Sequence, residues 1–596
     1  MARWYPAAVN AAAHQLQKVR DLLATGRAGD AVELARRLAR ARPTDAMVLA
    51  ALGQACSLAG LVVQAQDACA RAVALAGADP AVLRHVGGTL CTCGKFDEAI
   101  ITLGRAVELD GSVESLDTLA AVCMSAGRLI KAEAAARRVL ELDPAHTGGA
   151  IRAAASLMER GRGDRATEVL QAAIARNLGE ALLREMLPPA MNYCGQDGAV
   201  ILQAARDFAA TAMPAAAVTM PAPRRDGERL RVGFLSSDLK AHSVAYFLLP
   251  LLRHLPERAD VMVYDTAPGG DGVSARLRGM VPKGCWQEVP GLGHDALAGR
   301  IAADGLSVLV DCNGLTVGHR AGTLAKLLTL PQRPVVLTWL GYPATTGLRL
   351  DGRLVDAVTD PGHADGWHSE PLVRLAGCFV CYEASDGSPP VRTAVNPAAV
   401  RFGSFNSLSK LSDRAVELMA GVLTAVPGST LMLKAVALDD GGVRSEGLAR
   451  FAKCGVAAER LHLLGRDKDA ATHLARYGEV DVALDTTPYC GTTTTCEALA
   501  MGTPVVTLAP ADGLHAARVG ASVLRAAGFP ELVAGTTAEF TAIAAGLAAD
   551  AKRLDELHRT LPSRVRDSAL CDGAAFAGRF VDAVEHAMQT AQERGR

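Results

Sequence analysis

The chain has 596 residues, of which 50% are hydrophobic and 4% aromatic. Because one hydrophobic core seldom organises so many residues, the length predicts roughly two to four domains. The formal net charge is −1, so the chain has no general electrostatic attraction to nucleic acid or to an anionic membrane surface. Composition therefore excludes a broad polyelectrolyte binder and favours specific partners.

The cysteines and the first residues predict the compartment. Fourteen cysteines are scattered without the regular spacing of a disulfide framework. The opening segment MARWYPAAVNAAAHQ has no secretory signal pattern. The longest uncharged stretch, near Phe208 to Pro223, is interrupted by prolines and is too short to span a bilayer. We therefore expect a cytoplasmic protein without membrane insertion.

The first third of the chain carries an internal repeat. Glycines recur at spacings of 34, 34, 33 and 34 residues: Gly26, Gly60, Gly94, Gly127 and Gly161. An alanine lies five residues after each of them: Ala31, Ala65, Ala99, Ala132 and Ala166. This period, with small residues where two helices cross, is typical of tetratricopeptide (TPR) repeats. We predict a TPR α-solenoid over residues 1–187, whose concave surface binds a polypeptide. An alanine-rich bundle with accidental spacing is the alternative.

The rest of the chain predicts parallel β-sheets. After a connector at 188–229, which ends in a Pro/Ala-rich stretch, short Val/Leu-rich runs such as LRVGFLSS and LSVLVDCNG alternate with helical patterns. Such strands are buried on both faces of a parallel sheet. Two sets of them, divided near Pro390, predict Rossmann-like domains at 230–390 and 391–596. Their ligands should lie in a cleft beyond the carboxyl ends of the strands.

A run of threonines lies at the predicted turn between a buried strand, VDVALDT, and a helix, CEALAM: Thr492, Thr493, Thr494 and Thr495. Thr494 and Glu497 have the spacing of a capping box, which would satisfy the free N–H groups of the helix. The remaining hydroxyls, beside Gly491 at a positive helix end, would suit a phosphate. Both interpretations stay open at this point.

Six motifs carry a family resemblance, in the order RVGFLSSDLKAHSVAYF, DCNGLTVGHR, WLGYPATTG, FGSFNSLSK, LDTTPYCGTTTTCEALAMGTPVV and HAARVGAS. Together with the TPR array they resemble the O-linked N-acetylglucosamine transferase-like glycosyltransferases, which have a two-domain GT-B fold. The resemblance covers nearly the whole chain. It implies an inverting transfer of a sugar from a nucleotide donor to Ser or Thr of a protein, with no metal or other cofactor. Relatives of this shape in bacteria include flagellin glycosyltransferases that use nonulosonic acids.

The resemblance also implies roles for individual residues. Lys410 matches the family's essential lysine, which would neutralise charge on the departing phosphate; an exposed loop lysine is the alternative. His242 matches the active-site histidine near the donor phosphates and the acceptor. Asn406 belongs to the same donor loop, and Ser407 stands where the family commonly has glutamine. Lys468 matches a lysine near the base.

Some positions depart from the family pattern. Thr492 and Glu497 replace a histidine and an aspartate, and Ala471 stands where a helix-borne histidine near the uracil is expected. These changes favour a different donor, a CMP-nonulosonic acid, and flagellin as the acceptor bound by the TPR array. Transfer from UDP-N-acetylglucosamine to other proteins is the first alternative. A catalytically inactive TPR adaptor is the second.

Other residues have weaker signals. Arg518, in HAARVGAS, is expected to reach a donor phosphate or to pair with a core carboxylate, and His515 of the same motif is a further candidate. Asp311 ends a predicted strand and fits either a ligand turn or a structural turn. Cys378 and Cys381 form one CxxC without a second pair, so we expect packed cysteines and no metal site.

Overall fold

The computed structural model describes residues 5–212, 217–224, 227–267, 269–316, 318–383, 396 and 399–594, with side chains from residue 13 onward. The described residues begin with twelve α-helices: α1 (Tyr5–Ala24), α2 (Ala28–Ala41), α3 (Ala46–Leu58), α4 (Val62–Ala76), α5 (Pro80–Thr92), α6 (Phe96–Asp110), α7 (Val113–Ser125), α8 (Leu129–Leu142), α9 (Thr147–Glu159), α10 (Gly163–Arg176), α11 (Ala181–Cys194) and α12 (Gly198–Ala212). Helical repeats at this end of the chain are confirmed.

The repeat glycines form the turns between paired helices. All five have a positive φ, between 66° and 76°, in the left-handed region where glycine ends a helix without strain. The alanine five residues after each glycine is 0% exposed, because the paired helices approach closely at that point. The 34-residue period therefore reflects one glycine turn and one close helix contact in each repeat.

The chain divides into two compact units. One comprises Met1–Leu157 and Ala175–Asn177, and the other Met158–Ile174 and Leu178–Arg596. The connector predicted at 188–229 begins inside a helix, since α11 runs past its start and α12 follows it. Pro188 and Pro189 lie within α11 without ending it. Residues 213–216 and 225–226 of this connector lie outside the described residues.

The second unit contains a seven-stranded parallel sheet with the order β3-β2-β1-β4-β5-β6-β7. Its strands are β1 (Arg231–Ser236), β2 (Asp260–Asp265), β3 (Trp286–Glu288), β4 (Val308–Asp311), β5 (Val335–Thr338), β6 (Gly352–Asp356) and β7 (Leu372–Leu375). The helices between them are α13 (Ser243–His254), α14 (Gly272–Arg278), α15 (His294–Ala303) and α16 (Ala321–Leu327).

A six-stranded parallel sheet follows in the same unit, with the order β10-β9-β8-β11-β12-β13. Its strands are β8 (Arg401–Ser404), β9 (Thr430–Lys434), β10 (Leu461–Leu464), β11 (Val482–Leu484), β12 (Val505–Leu508) and β13 (Val533–Ala534). The remaining helices are α17 (Asp413–Ala425), α18 (Gly441–Lys453), α19 (Ala470–Ala475), α20 (Thr493–Ala500), α21 (His515–Ala526), α22 (Thr537–Ala549), α23 (Ala551–Arg566) and α24 (Gly573–Glu593). The two Rossmann-like domains are thus confirmed, while the predicted division near Pro390 lies outside the described residues.

The final helix returns to the first sheet. In α24, the rings of Phe576 and Phe580 lie 6.2 and 5.6 Å from the ring of Trp339, which directly follows β5. A helix predicted to belong to the second Rossmann-like domain therefore packs on the first and joins the two. No helix in the described ranges is both long enough and apolar enough to cross a membrane.

Candidate active site

A cavity of about 380 Å³ lies where the carboxyl ends of the two parallel sheets face each other; we name it the cleft. Residues that follow β1, β4 and β5 form one wall, including His242, Val244, Thr316, Leu340, Gly341 and Pro343. Residues that follow β8 and β11 form the other wall, including Asn406, Ser407, Lys410, Thr492, Thr493 and Thr494. This is the position at which open α/β sheets bind their ligands.

Lys410 places a cation in the cleft. It ends a single 3-10 turn, Leu408–Lys410, after β8. Its Nζ donates to the carbonyl oxygen of Cys490 at 3.0 Å and lies 4.5 Å from the centroid of the Tyr489 ring. Burial lowers the pKa of the ammonium group, and nearby Asp485 opposes that shift. The structure therefore gives a half-buried cation and contradicts the alternative of an exposed loop lysine.

Asp485, directly after β11, organises this wall although we did not select it from the sequence. It is 2% exposed. Its Oδ1 accepts hydrogen bonds from Asn406 Nδ2 at 3.0 Å and from the Gly491 N–H at 2.7 Å. The same oxygen accepts from the Thr486 N–H at 2.8 Å, and Oδ2 of Asp485 accepts from Thr507 Oγ1 at 2.8 Å. Burial raises the pKa of Asp485, and these hydrogen bonds partly offset the rise. The only sequence signal was the Asp-Thr pair that ends VDVALDT.

Helix α20 begins earlier than the capping-box alternative requires. Thr492 is the N-cap residue, and its side chain makes no capping hydrogen bond. Thr494 already lies in the first helical turn and donates from Oγ1 to Asn406 Oδ1 at 2.7 Å. A capping box between Thr494 and Glu497 is therefore wrong. Thr494 instead connects the helix to the loop after β8.

The threonine hydroxyls fall into two groups. Thr493 lines the cleft and is 9% exposed, and its hydroxyl has no hydrogen-bond partner in the described part of the chain. Thr495 points away from the cleft and donates to the carbonyl oxygen of Gly491 at 3.1 Å. A Cβ atom on Gly491 would lie 2.4 Å from Thr494 Oγ1, so only glycine fits that position. A buried hydroxyl without a partner is costly unless a ligand satisfies it.

His242 caps the opposite wall. It precedes α13, and its Nδ1 accepts a hydrogen bond from the Val244 N–H at 3.4 Å. The same nitrogen lies 3.8 Å from the Asp238 carboxylate, and the side chain is 44% exposed. Because Nδ1 accepts a hydrogen bond, the ring proton of the neutral imidazole resides on Nε2. His242 is therefore arranged as a hydrogen-bond donor to a ligand in the cleft.

Three side chains predicted to bind the donor lie outside the cleft. The Lys468 side chain is 79% exposed and is 4.0 Å from the carboxylate of the adjacent Asp469. Arg518 donates to the carbonyl oxygen of Val358 at 2.7 Å and so links the two sheets. Glu497 lies 3.3 Å from His473. The guanidinium of Arg518 binds main-chain carbonyls, so the core-carboxylate pair is wrong for the described residues, while the phosphate contact stays a prediction.

A histidine is present on α19. His473 lies two residues beyond Ala471, where the sequence comparison expected a histidine and found none. Its ring centroid is 5.8 Å from that of Phe405, at the end of β8, and its Nε2 is 3.3 Å from Glu497 Oε2. Ala471 is still a departure from the family pattern, and the helix carries its histidine two residues later. The carboxyl ends of the second sheet carry an imidazole and an aromatic ring side by side.

His515 ties the floor of the cleft to both sheets. At the start of α21, its Nδ1 lies 2.5 Å from Asp360 Oδ2, in the loop after β6. The other oxygen of Asp360 is 3.1 Å from His368 Nε2. Burial alone would raise the pKa of Asp360, but the two imidazoles lower it well below its usual value. His515 also lines the cleft beside Phe379.

The remaining candidates belong to the framework. Burial raises the pKa of Asp311 to about 6, while its carboxylate accepts from the Gly314 N–H at 2.8 Å. Asn313 binds the loop after β1, so this is a structural turn. Cys378 and Cys381 are buried free thiols. Within the described ranges, no cluster of His, Cys, Asp or Glu is arranged to hold a metal ion.

Two parallel-sheet domains that enclose a cleft at their strand ends form the GT-B fold. The chain belongs to glycosyl transferase family 41, whose sequence profile matches residues 214–385 and 392–579. The solved structure of a mutant O-GlcNAc transferase from Thermobaculum terrenum is similar, with 29% identity and a TM-score of 0.76. That similarity covers 87% of this chain and 99% of the solved one.

Curated plant proteins are also similar. The probable UDP-N-acetylglucosamine–peptide N-acetylglucosaminyltransferase SPINDLY of Arabidopsis thaliana is 36% identical over 360 residues, which cover 59% of this chain and 39% of SPINDLY. The corresponding probable enzyme SEC of the same plant is 27% identical over 358 residues, covering 57% and 35%. The chain thus spans about two fifths of the length of these relatives. Their names mention neither a nonulosonic acid nor flagellin.

Proposed function

We propose that this protein transfers N-acetylglucosamine from UDP-N-acetylglucosamine to serine or threonine hydroxyls of other proteins, and that its helical repeats bind the acceptor. The observation that carries the proposal is the second wall of the cleft. There the Lys410 ammonium and the unpartnered Thr493 hydroxyl lie at the amino end of α20. A helix amino terminus, a cation and a free donor together suit the diphosphate of a nucleotide-sugar.

The choice of donor rests on two observations. The sequence argument for a CMP-nonulosonic acid depended on the replacement of the family's histidines at Thr492 and Ala471, but α19 carries another histidine, His473, beside Phe405. The plant relatives and the solved bacterial relative carry N-acetylglucosamine transfer in their names. Both observations favour UDP-N-acetylglucosamine, so we replace the CMP-sugar and flagellin with this donor and a broader class of protein acceptors.

The proposed chemistry is a single displacement. The acceptor hydroxyl attacks the anomeric carbon, and its proton passes to a phosphate oxygen of the departing UDP as the glycosidic bond forms. The bond between that carbon and the phosphate oxygen breaks, and UDP leaves with inversion at the carbon. Lys410 stabilises the charge that develops on the phosphate, which is commonly the largest contribution to such catalysis. His242 donates from Nε2 to an oxygen of the donor. No metal ion takes part.

Calorimetric titration with UDP, CMP, GDP and ADP tests the donor. We expect UDP to bind most tightly, and UDP-N-acetylglucosamine to increase the intact mass of an acceptor protein by one N-acetylhexosamine. Tighter binding of CMP, or binding of UDP without transfer from its sugar, would contradict the proposal.

Two threonine variants test the phosphate contact. Thr493→Val removes a hydroxyl without a described partner, so stability should be unchanged or higher, while UDP affinity should fall about tenfold or more. Thr495→Val is the matched control. It removes the hydrogen bond to Gly491, so it should cost about 1 kcal/mol of stability with little effect on UDP affinity. Equal UDP affinities for Thr493→Val and the unchanged protein would contradict the contact.

A further inference from the structure

A second cavity of about 270 Å³ adjoins the cleft. Three residues line both cavities: Tyr193, Thr316 and Tyr489. The rings of Tyr193 and Tyr489 stack with centroids 4.8 Å apart and interplanar angle 15°. This aromatic pair therefore forms a shared wall, and a group held in the second cavity lies beside a sugar donor in the cleft.

The second cavity combines an apolar lining with acidic groups. Its apolar surface comes from four residues: Met158, Met186, Pro189 and Leu315. Two carboxylates, Glu159 and Glu185, also line it. An apolar channel with carboxylates suits a side chain that has an aliphatic stem and a cationic head.

Neither carboxylate is paired with a lysine or an arginine in the described part of the chain. Glu159 has no cationic partner there, and burial raises the pKa of its carboxyl group. Glu185 lies 2.8 Å from His319 Nε2. The Nδ1 atom of His319 accepts a hydrogen bond from the Ala321 N–H at 3.2 Å, so its Nε2 donates to Glu185. The cavity therefore holds two carboxylates, and its described lining contains no lysine or arginine.

Unpartnered polar atoms mark the same cavity as a ligand site. Tyr342 lines it and is 5% exposed, yet its hydroxyl has no hydrogen-bond partner among the described residues. Asn192 lines it too and is 1% exposed, and neither atom of its amide group has a described partner. Buried polar groups in folded proteins are almost always satisfied. A polar ligand in this cavity would supply the missing hydrogen bonds.

We infer that the second cavity is an acidic subsite that binds an arginine or lysine side chain of the acceptor polypeptide, close in sequence to the hydroxyl that receives the sugar. The inference rests on the proposed function, because it assumes a protein acceptor. Arginine fits best, since its planar fork can donate two parallel hydrogen bonds to a carboxylate while its stem lies along the methionines.

Peptide series test the subsite. Each peptide contains one serine, and a single arginine is moved through the positions on either side of it, with glutamine replacing arginine in the matched series. Fluorescence anisotropy in the presence of UDP measures binding without requiring transfer. At one or two positions we expect arginine to improve affinity at least tenfold over glutamine. Rates of transfer from UDP-N-acetylglucosamine should show the same preference in kcat/KM.

Variants assign the preference to the carboxylates. The double variant Glu159→Gln/Glu185→Gln should bind arginine and glutamine peptides equally, and Glu159→Lys should favour a glutamate peptide. Glu168→Gln, an exposed carboxylate on α10 outside the cavity, is the control and should keep the arginine preference. Thermal melting and UDP titration establish that each variant is folded.

The outcomes separate the two proposals. Equal binding of arginine and glutamine peptides, including no detectable binding of either, overturns the subsite, as does a preference that survives in the double glutamine variant. If anisotropy gives the arginine preference but UDP-N-acetylglucosamine supports no transfer, the subsite stands and the assignment of the donor fails.

Discussion

Replacing Lys410 by methionine should separate catalysis from folding. Methionine keeps the aliphatic stem between Tyr489 and the turn after β8 but removes the charge. Removing one donor that stabilises charge in the transition state typically lowers kcat by about 10²–10³-fold, or about 2.7–4 kcal/mol. We expect a loss of that size in kcat, with a smaller change in the affinity for UDP.

The contacts of Lys410 predict little change in stability. Its Nζ makes one hydrogen bond, to Cys490 at 3.0 Å, and one cation–π contact, with Tyr489 at 4.5 Å. These contribute about 1 kcal/mol each. Burial lowers the pKa of the ammonium group, so the charge opposes folding at neutral pH. The opposing effects leave an expected change of no more than about 1–2 kcal/mol.

Single-turnover and steady-state transfer assays, with urea unfolding in parallel, check both expectations. Lys552→Met is the control, because Lys552 is exposed on α23 and does not line the cleft. This variant should change neither kcat nor the free energy of unfolding. A near-normal kcat in Lys410→Met would remove the lysine from the mechanism. A loss of several kcal/mol of stability would instead mean that its role is structural.

Two further predictions follow from the same wall. Gly491→Ala puts a Cβ atom 2.4 Å from Thr494 Oγ1 and 2.9 Å from Asn406 Oδ1, so urea unfolding should register a loss of about 1–3 kcal/mol and UDP affinity should fall. A Cβ atom on Gly546, in α22, would have no atom within 4 Å, so Gly546→Ala should instead raise the free energy of unfolding by about 0.5–1 kcal/mol. Similar stabilities for the two variants would refute the clash. The lowered pKa of Lys410 predicts an alkaline loss of kcat/KM at a pH below the usual lysine value of 10.5. Because arginine stays protonated, Lys410→Arg should move that loss upward in its pH profile even if its overall rate is lower, and an unchanged profile would contradict the assignment.

The architecture was accessible from the sequence because periodic patterns determine it. The glycine–alanine spacing predicted the helical repeats, and the buried Val/Leu runs predicted most strands of both sheets. The strands not predicted were β3, β7 and β13, which lie at sheet edges. β3 and β13 have only three and two residues, and Arg374 interrupts the apolar residues of β7, so sequence patterning marks these strands weakly.

The site was less accessible, because its residues are separated by small offsets that a sequence does not fix. Counting forward from Lys468 led to Ala471, whereas the imidazole on α19 is His473. Helix α20 starts at Thr493, inside the threonine run. Thr493 lines the cleft, and Thr495 does not. Successive side chains in an α-helix point about 100° apart. An error of one residue in the predicted start of the helix therefore changes which hydroxyls are expected to face the cleft. Motif matching therefore predicted a loop that lines the cleft, but it did not separate Thr493, which lines the cleft, from Thr495, which does not.

Buried aspartates at strand ends explain how the loops hold these directions. Asp265, Asp311, Asp356 and Asp485 end or directly follow β2, β4, β6 and β11, and none is more than 2% exposed. Each accepts at least one backbone N–H from the turn that follows it. A carboxylate used in this way is fixed inside the fold and adds negative charge beneath the loops. The side chains left to meet an anionic donor are then the cation and the hydroxyls that those loops carry, which is why Lys410 and Thr493 line the cleft while Asp485 lies behind them.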